Sequence, residues 1–85
     1  MRIRISSRFE KSYKKLPSKI QIKAKQKEAI FRINPFDDRL KTHKLKGEKQ
    51  DSLAFWIDYS YRIKFIFLNK YEVLFLDIGT HDIYK

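Results

Sequence analysis

Three runs of β-branched and aromatic residues follow one another closely in the second half of the sequence. They are Leu53–Tyr59, Tyr61–Leu68 and Tyr71–Ile78. Residues of these types favour β-strands. The short gaps at Tyr59-Ser60 and Asn69-Lys70 are typical of hairpin turns. We therefore predict three consecutive antiparallel strands, and any fold for this chain has to accommodate them in one sheet.

The beginning of the sequence has the pattern of a strand followed by a helix. Arg2–Ser6 alternates charged and apolar residues, which predicts a strand with one buried face. Ser7 lies three residues before Glu10, the spacing at which a serine caps a helix and a glutamate bonds back to the cap. A first helix is therefore predicted from Arg8 to about Lys15.

A second helix is predicted from Pro17 to Ile33. Proline suits the first helical position because the N–H that it lacks would be unpaired there. Asn34-Pro35 ends the segment, since a residue before proline avoids the helical region. The stripe expected to face the core consists of Ile20, Ala24, Lys27, Ile30 and Phe31. The short join at Leu16-Pro17 predicts that the two helices pack as a hairpin.

These elements predict an α+β fold with the order β-α-α-β-β-β-β, in which Leu40–Lys46 supplies a further, polar strand. The architecture would be a twisted antiparallel sheet with the helical hairpin on one face. A chain of 85 residues supports one core, so residues 1–85 are expected to form a single domain. In the strand from Tyr61, apolar residues alternate with Arg62 and Lys64, so the face without helices is expected to be basic.

The sequence is strongly basic, with 20 Lys and Arg against 10 Asp and Glu and a net charge of +10. Such an excess attracts polyanions and favours nucleic acid as a partner. A solvated basic surface, acidic lipid and an acidic protein remain alternatives. The sequence has no cysteine, which excludes disulfides and thiolate zinc sites. No apolar run is long enough to span a bilayer, so we expect a soluble, cytoplasmic protein without a membrane partner.

The sequence contains two histidines, His43 and His81, each in a polar setting. Histidine can give and take protons near neutral pH, which makes both residues candidates for acid–base chemistry. For either one alone, an ordinary surface position is an equally good interpretation. No third ligand stands at a suitable spacing, so neither a metal site nor a cofactor is predicted.

Three segments of the second half occur together in an order and spacing typical of one protein family. They are His43–Gly47, Tyr61–Phe65 and Ile78–Tyr84. The first half adds a Ser-x-x-Phe-Glu-Lys helix start, a Lys-Leu-Pro join and an Asn-Pro helix end. In all of these the chain resembles the toxins of the RelE/ParE superfamily over its whole length.

The resemblance implies a function as the toxin of a toxin–antitoxin pair. RelE-, YoeB- and YafQ-like members are endoribonucleases that cut messenger RNA, commonly in the ribosome. The implied reaction is attack by a ribose 2′-hydroxyl on the adjacent phosphate, which needs a base, an acid and cations but no metal. The implied partners are a cognate antitoxin, messenger RNA and the ribosome.

The resemblance also implies roles for single residues. Arg62 would stabilise the charge that develops on the phosphate. His81 would act as general acid or base, and His43 would be the second proton-transfer group. Tyr84 would orient the phosphate, share in proton transfer or stack on a base. The lysines expected to bind the RNA backbone are Lys41, Lys44 and Lys46, as a row on one strand, and Lys64.

The sequence departs from the YafQ-like pattern at Ile57 and Tyr61, where those toxins have a further histidine and acid; Asp58 is a minor substitute for the acid. Two other functions remain open. ParE-like members share the fold but inhibit DNA gyrase by binding, because a fold does not determine a function. A basic nucleic-acid-binding domain without catalysis is the other.

Overall fold

The computed structural model describes residues 1–47 and 51–84, and within them it has two α-helices and five strands. The elements are β1 (Arg2–Ile5), α1 (Ser7–Lys14), α2 (Ser18–Ile33), β2 (His43–Lys44), β3 (Leu53–Trp56), β4 (Arg62–Phe67) and β5 (Glu72–Gly79). Short 3₁₀ helices lie at Asp38–Leu40 and His81–Tyr84. The α+β class and the order β-α-α-β-β-β-β are confirmed.

The strands form one sheet in the order β1-β5-β4-β3-β2. The strands β2 to β5 pair antiparallel, as predicted from the short gaps between them. In contrast, β1 pairs with β5 in parallel, with Arg2 beside Glu72 and Ile5 beside Phe75, so the sheet is mixed. Two helices follow β1 in the chain, so no hairpin turn joins β1 to its neighbour in the sheet. The strand is therefore free to pair in the parallel direction.

The first helix begins one residue earlier than predicted, because Ser6 rather than Ser7 is its N-cap. The Ser6 hydroxyl oxygen accepts a hydrogen bond from the Phe9 N–H at 3.0 Å. The same hydroxyl donates to the Leu76 carbonyl of β5 at 2.8 Å. Glu10 forms an ion pair with Lys14 at 3.4 Å. The predicted capping box is therefore wrong, and the cap that forms also joins α1 to the sheet.

The second helix begins at Ser18, one residue later than predicted, and Pro17 is its N-cap. The Pro17 carbonyl accepts hydrogen bonds from the N–H groups of Ile20 and Gln21. The end at Ile33 is as predicted. The Gln21 side chain donates to the Tyr13 carbonyl at 2.8 Å, which holds the start of α2 against the end of α1.

The core lies between the helices and one face of the sheet. Four phenylalanines occupy its centre. The centroid of the Phe31 ring of α2 lies 4.8 Å from the ring centroid of Phe55, 5.0 Å from that of Phe65 and 5.4 Å from that of Phe75. Of the predicted stripe of α2, Ile20, Ala24 and Phe31 are buried, Ile30 is partly buried against the core, and Lys27 is half-buried outside it. Ring pairs at such distances add to the stabilisation from apolar burial.

The predicted strand Leu40–Lys46 is mostly wrong, since β2 contains only His43 and Lys44. Leu40 ends a 3₁₀ helix and is fully buried. Lys41 then has a φ of +52°, a left-handed conformation that interrupts an extended strand. The alternation in the sequence revealed neither the burial of Leu40 nor this turn. No helix in the described ranges is long and apolar enough to cross a membrane.

Candidate active site

The site lies on the sheet face that the helices leave uncovered. Phe55 and Ile63 point into the core, so their neighbours along β3 and β4 point to the other face. The strand register puts Trp56 beside Arg62. In the next row Ala54 stands between His43 and Lys64. Residues opposite each other on antiparallel strands share a face. Two basic rows therefore lie side by side, one with Trp56 and Arg62 and the other with His43, Ala54 and Lys64.

Arg62 is held more firmly than an exposed strand residue would be, since only 3% of it is accessible. Its guanidinium carbon lies 3.9 Å from the centroid of the Trp56 ring. Its Nη1 donates to the carbonyls of Asp58 at 2.7 Å and Tyr61 at 3.2 Å. A buried cation needs such compensation, which here comes from an aromatic face and two backbone dipoles. The guanidinium is therefore fixed before any ligand arrives.

Arg62 and His81 line the same cleft, which has a volume of about 560 Å³. Its other lining residues are Trp56, Tyr59, Ser60 and Thr80. His81 is exposed and begins the last 3₁₀ helix, which packs against β4 and β5. Two of the four predicted catalytic side chains therefore line one cleft, although they are 19 positions apart in the sequence.

Gly79 allows the chain to fold back beside this cleft. A Cβ atom at this position would lie 2.8 Å from the Cγ2 methyl of Ile83, closer than such atoms approach. The Ile83 N–H donates to the Thr80 carbonyl at 3.1 Å, which closes the turn that carries His81. The missing side chain is thus a condition for the position of His81.

The turn between β3 and β4 is fixed by Asp58. Its Oδ1 accepts hydrogen bonds from the N–H groups of Ser60 at 2.9 Å and Tyr61 at 2.8 Å, and Lys23 lies 3.6 Å from Oδ2. Partial burial alone would raise the pKa of Asp58, but the two N–H groups and Lys23 outweigh it and lower that pKa below its ordinary value. A carboxylate engaged in this way supports the turn and is a poor proton donor.

The sequence motifs did not point to Trp56 and Tyr59, the aromatic residues of the cleft. Tyr59 lies in the turn and is 81% exposed, and its ring meets that of Trp56 at 6.1 Å and 87°. Nζ of Lys41 lies 5.5 Å from the centroid of the Trp56 ring. A signal for Trp56 was present in the sequence, because a hairpin centred on Tyr59 pairs residue 56 with residue 62.

The other predicted site residues lie at varying distances from the cleft. His43 is exposed on β2, with Nδ1 3.0 Å from the Lys41 carbonyl, and is separated from Lys64 by one strand, or roughly 10 Å. Lys44 alternates with His43 and so faces the other way at the sheet edge. Lys41 and Lys46 lie in turns, so the predicted row of lysines on one strand does not form.

Tyr84 ends the last 3₁₀ helix, but its side chain lies outside what the structure describes. Among the residues described, no group of three or more His, Cys, Asp or Glu side chains is arranged to hold a metal ion.

Comparisons with known proteins bear on this arrangement. No protein-family model matches the sequence, and no curated protein is detectably similar to it in sequence. Solved structures do match. The YoeB/ParE toxin from Agrobacterium tumefaciens superimposes with a TM-score of 0.79 at 14% identity, over 95% of this chain and 99% of that one. YafQ from E. coli strain BL21(DE3) gives 0.78 at 19% identity, over 98% and 97%.

The chain has the RelE/ParE toxin fold. An archaeal example, RelE in its complex with RelB from Pyrococcus horikoshii OT3, gives a TM-score of 0.74 at 17% identity, over 93% of this chain and 92% of that one. Nearly the full length of each chain is matched, so the RelE-like fold accounts for the helical hairpin as well as the sheet. At these identities the likeness establishes the fold, and the chemistry has to be argued from the residues.

Proposed function

We propose that this protein is the toxin of a toxin–antitoxin pair and acts as a metal-independent endoribonuclease on messenger RNA, at the ribosome in the cytoplasm. One observation carries the proposal: a buried, pre-positioned arginine and an exposed histidine line one cleft on the uncovered face of a RelE-like sheet. The net charge of +10 supports a polyanionic substrate.

The proposed reaction is an attack by the ribose 2′-oxygen on the adjacent phosphorus. A base removes the 2′-proton, the phosphorus passes through a five-coordinate state, and an acid protonates the departing 5′-oxygen. The products are a 2′,3′-cyclic phosphate and a 5′-hydroxyl. Each proton-transfer group contributes about 10²- to 10⁴-fold, and fixed cations stabilise the charge that grows on the phosphate oxygens.

Arg62 is suited to the electrostatic role in this reaction. Because Trp56 and two carbonyls already hold the guanidinium, little reorganisation is needed when charge develops. His81 shares the cleft and is assigned one proton transfer. His43 lies in the neighbouring row and does not line the cleft, so its role as the second proton-transfer group stays a prediction from the sequence, as does the role of Tyr84 in orienting the phosphate. The lysines proposed to bind the RNA backbone are Lys41, Lys46 and Lys64, whereas Lys44 faces away from the cleft.

Messenger RNA on translating ribosomes is the substrate for the deciding experiment. The purified protein is incubated with them, and the new RNA ends are mapped and tested for a cyclic phosphate. We expect cleavage by the parent protein and a loss of at least about a hundredfold in His81→Ala. Arg62→Lys keeps the charge but not the planar fork, so it should lose activity while remaining folded by circular dichroism. Lys19→Ala on the helical side is the control and should cleave normally.

Intact messenger RNA in every lane would contradict the nuclease proposal. Inhibition of DNA gyrase by the same preparation would then support the ParE-like alternative. If RNA is bound but never cut and gyrase is unaffected, a non-catalytic nucleic-acid-binding domain is the remaining function.

An acidic antitoxin is the proposed protein partner. The matching structure from P. horikoshii is a RelE–RelB complex, and another matching structure is the intact E. coli RelBE toxin–antitoxin complex. The basic surface of this chain, which also exposes apolar side chains such as Ile22 and Phe36, would suit an acidic amphipathic segment. A short acidic reading frame beside the gene, whose product co-purifies with the protein and blocks cleavage, would support this. A neighbouring product that neither binds nor inhibits would contradict it.

A further inference from the structure

We propose that Tyr59, supported by Trp56, is a stacking platform for one base of single-stranded RNA, next to the nucleotide whose phosphate lies between Arg62 and His81. The inference rests on the proposed nuclease function for the identity of the ligand. It adds to that function a binding site for a base, whereas the catalytic residues contact the ribose and the phosphate.

The Tyr59 ring is both accessible and held in place. It is 81% exposed, in a turn between two strands. Its edge-to-face contact with Trp56 favours one orientation, and the two hydrogen bonds that Asp58 accepts hold the turn that carries it. A single exposed aromatic residue is common on protein surfaces, but an exposed ring positioned by its neighbours is arranged for contact.

Trp56 connects this platform to the catalytic arginine. The guanidinium of Arg62 covers its ring at 3.9 Å, while Tyr59 meets the same ring at 6.1 Å. The position for a base and the position for a phosphate are therefore parts of one packed unit. Because Trp56 contacts both Tyr59 and Arg62, a base stacked on Tyr59 would place its sugar–phosphate backbone next to Arg62.

A nucleobase is the ligand that this combination fits. Proteins that bind single strands pair aromatic rings, which accept any base by stacking, with cations that follow the backbone. Here Tyr59 and Trp56 supply the rings, and Lys41 and Arg62 supply cations beside them. Attack by a 2′-oxygen also requires an unpaired, well-oriented nucleotide, and stacking of a neighbouring base would provide that orientation.

Trp56 is the single tryptophan of the sequence, so its fluorescence reports on this cleft alone. The probe is a short RNA with 2′-O-methyl groups, which binds but cannot be cut because the attacking oxygen is blocked. We expect it to quench Trp56. In Tyr59→Ser the dissociation constant should rise between about five- and a hundredfold, as losing one stacked base does in single-strand binders. Tyr59→Phe should bind as tightly as the parent.

Tyr71→Ser is the matched control. Tyr71 is 76% exposed in the turn between β4 and β5, at the opposite end of β4 from Arg62. This variant should bind the RNA as the parent does. A second control is an abasic strand of the same length and charge, which should bind the parent about as weakly as the complete RNA binds Tyr59→Ser.

Equal binding by Tyr59→Ser and the parent would overturn the inference, as would equal binding of the abasic and complete strands. Its failure is separable from that of the nuclease proposal when the ribosome assay is run on the same preparations. Binding that depends on Tyr59, without cleavage by the parent, supports the platform and rejects the nuclease. Cleavage by the parent, together with equal RNA binding by Tyr59→Ser and the parent, supports the nuclease and rejects the platform.

Discussion

The buried Arg62 is compensated by neutral groups, and no acidic partner lies among the side chains that the structure describes. Its compensation comes from the Trp56 ring and from the carbonyls of Asp58 and Tyr61. Carbonyl oxygens and an aromatic face lower the cost of burial without adding a negative charge that would compete with a phosphate. The positive charge of the guanidinium is therefore available to a phosphate. The same turn depends on the Asp58 carboxylate, whose pKa is lowered.

The contribution of Asp58 should depend on pH. Since its folded pKa lies below the unfolded value, its stabilisation is complete above the unfolded pKa of about 3.9 and is lost as the pH falls through the folded pKa. In Asp58→Asn the amide oxygen can still accept from Ser60 and Tyr61, so we expect a loss under about 1 kcal/mol at pH 7. Asp58→Ala removes both bonds and should lose about 1–3 kcal/mol.

Urea unfolding at a series of pH values measures this effect. Below pH 4 the parent should lose stability more steeply than Asp58→Asn, because the variant lacks the titrating group. Asp37, whose pKa is lowered to about 2 by its hydrogen bond with Arg39, is present in both proteins and cancels in the comparison. Parallel pH profiles would contradict the role assigned to Asp58.

At the scale of elements, the site depends on how β5 ends. The register between β4 and β5 shifts after Lys64, so that Leu76 is an extra residue of β5. Beyond this bulge the Asp77 carboxylate contacts α1, through Arg8 at 3.1 Å and the Ser12 hydroxyl at 2.7 Å. Bulges commonly redirect side chains near functional sites. Here β5 is anchored to the helical layer just before the chain turns back at Gly79.

Gly79→Ala should displace the last 3₁₀ helix, because the new methyl would overlap with Ile83. Overpacking of this kind costs about 1–3 kcal/mol of stability. We expect cleavage to fall roughly tenfold or more, since His81 follows the displaced turn. The ribosome assay and thermal unfolding measure the two effects.

The double variant Gly79→Ala with Ile83→Ala removes the overlapping methyl and should recover much of the lost cleavage. The single variant Ile83→Ala shows what the loss of that side chain costs by itself. If the double variant is no better than Gly79→Ala, steric overlap is not the reason for the effect.

At the scale of the whole molecule, charge and shape act together. The helices pack on one face of the sheet and enclose the phenylalanine core between them and the sheet. The other face carries the cleft and the two basic rows. A net charge of +10 on a chain of 85 residues attracts RNA from a distance, and the cleft then orients it. The long-range attraction should be sensitive to salt, while stacking on Tyr59 should be much less so.

Binding of the 2′-O-methyl RNA should therefore weaken as salt rises. For single strands the logarithm of the binding constant falls by about 0.7 per phosphate contact for each tenfold rise in salt. Lys41, next to Trp56, is expected to make one such contact, so Lys41→Gln should reduce the slope by about 0.7. Lys19→Gln on α2 is the matched control and should leave it unchanged. Equal slopes for both variants would exclude Lys41 from the RNA path.

Much of the architecture follows from local patterns that the sequence displays openly. The alternation in β4 placed Ile63 and Phe65 in the core, the spacing in α2 identified its buried stripe, and the short gaps set the antiparallel meander. These signals are reliable because each arises from neighbours in the chain. Arg62 and His81 were singled out by the family resemblance, and the structure places both at one cleft.

What local patterns could not provide are the contacts between distant segments. The parallel docking of β1 on β5 joins residues near 2 to residues near 72, and no turn specifies it. Three further features depend on how the helices and the sheet pack together. They are the burial of Arg62 beneath Trp56, the turn at Lys41 and the separation of His43 from the cleft. Their energies come from tertiary burial and hydrogen bonding, which local periodicity does not encode.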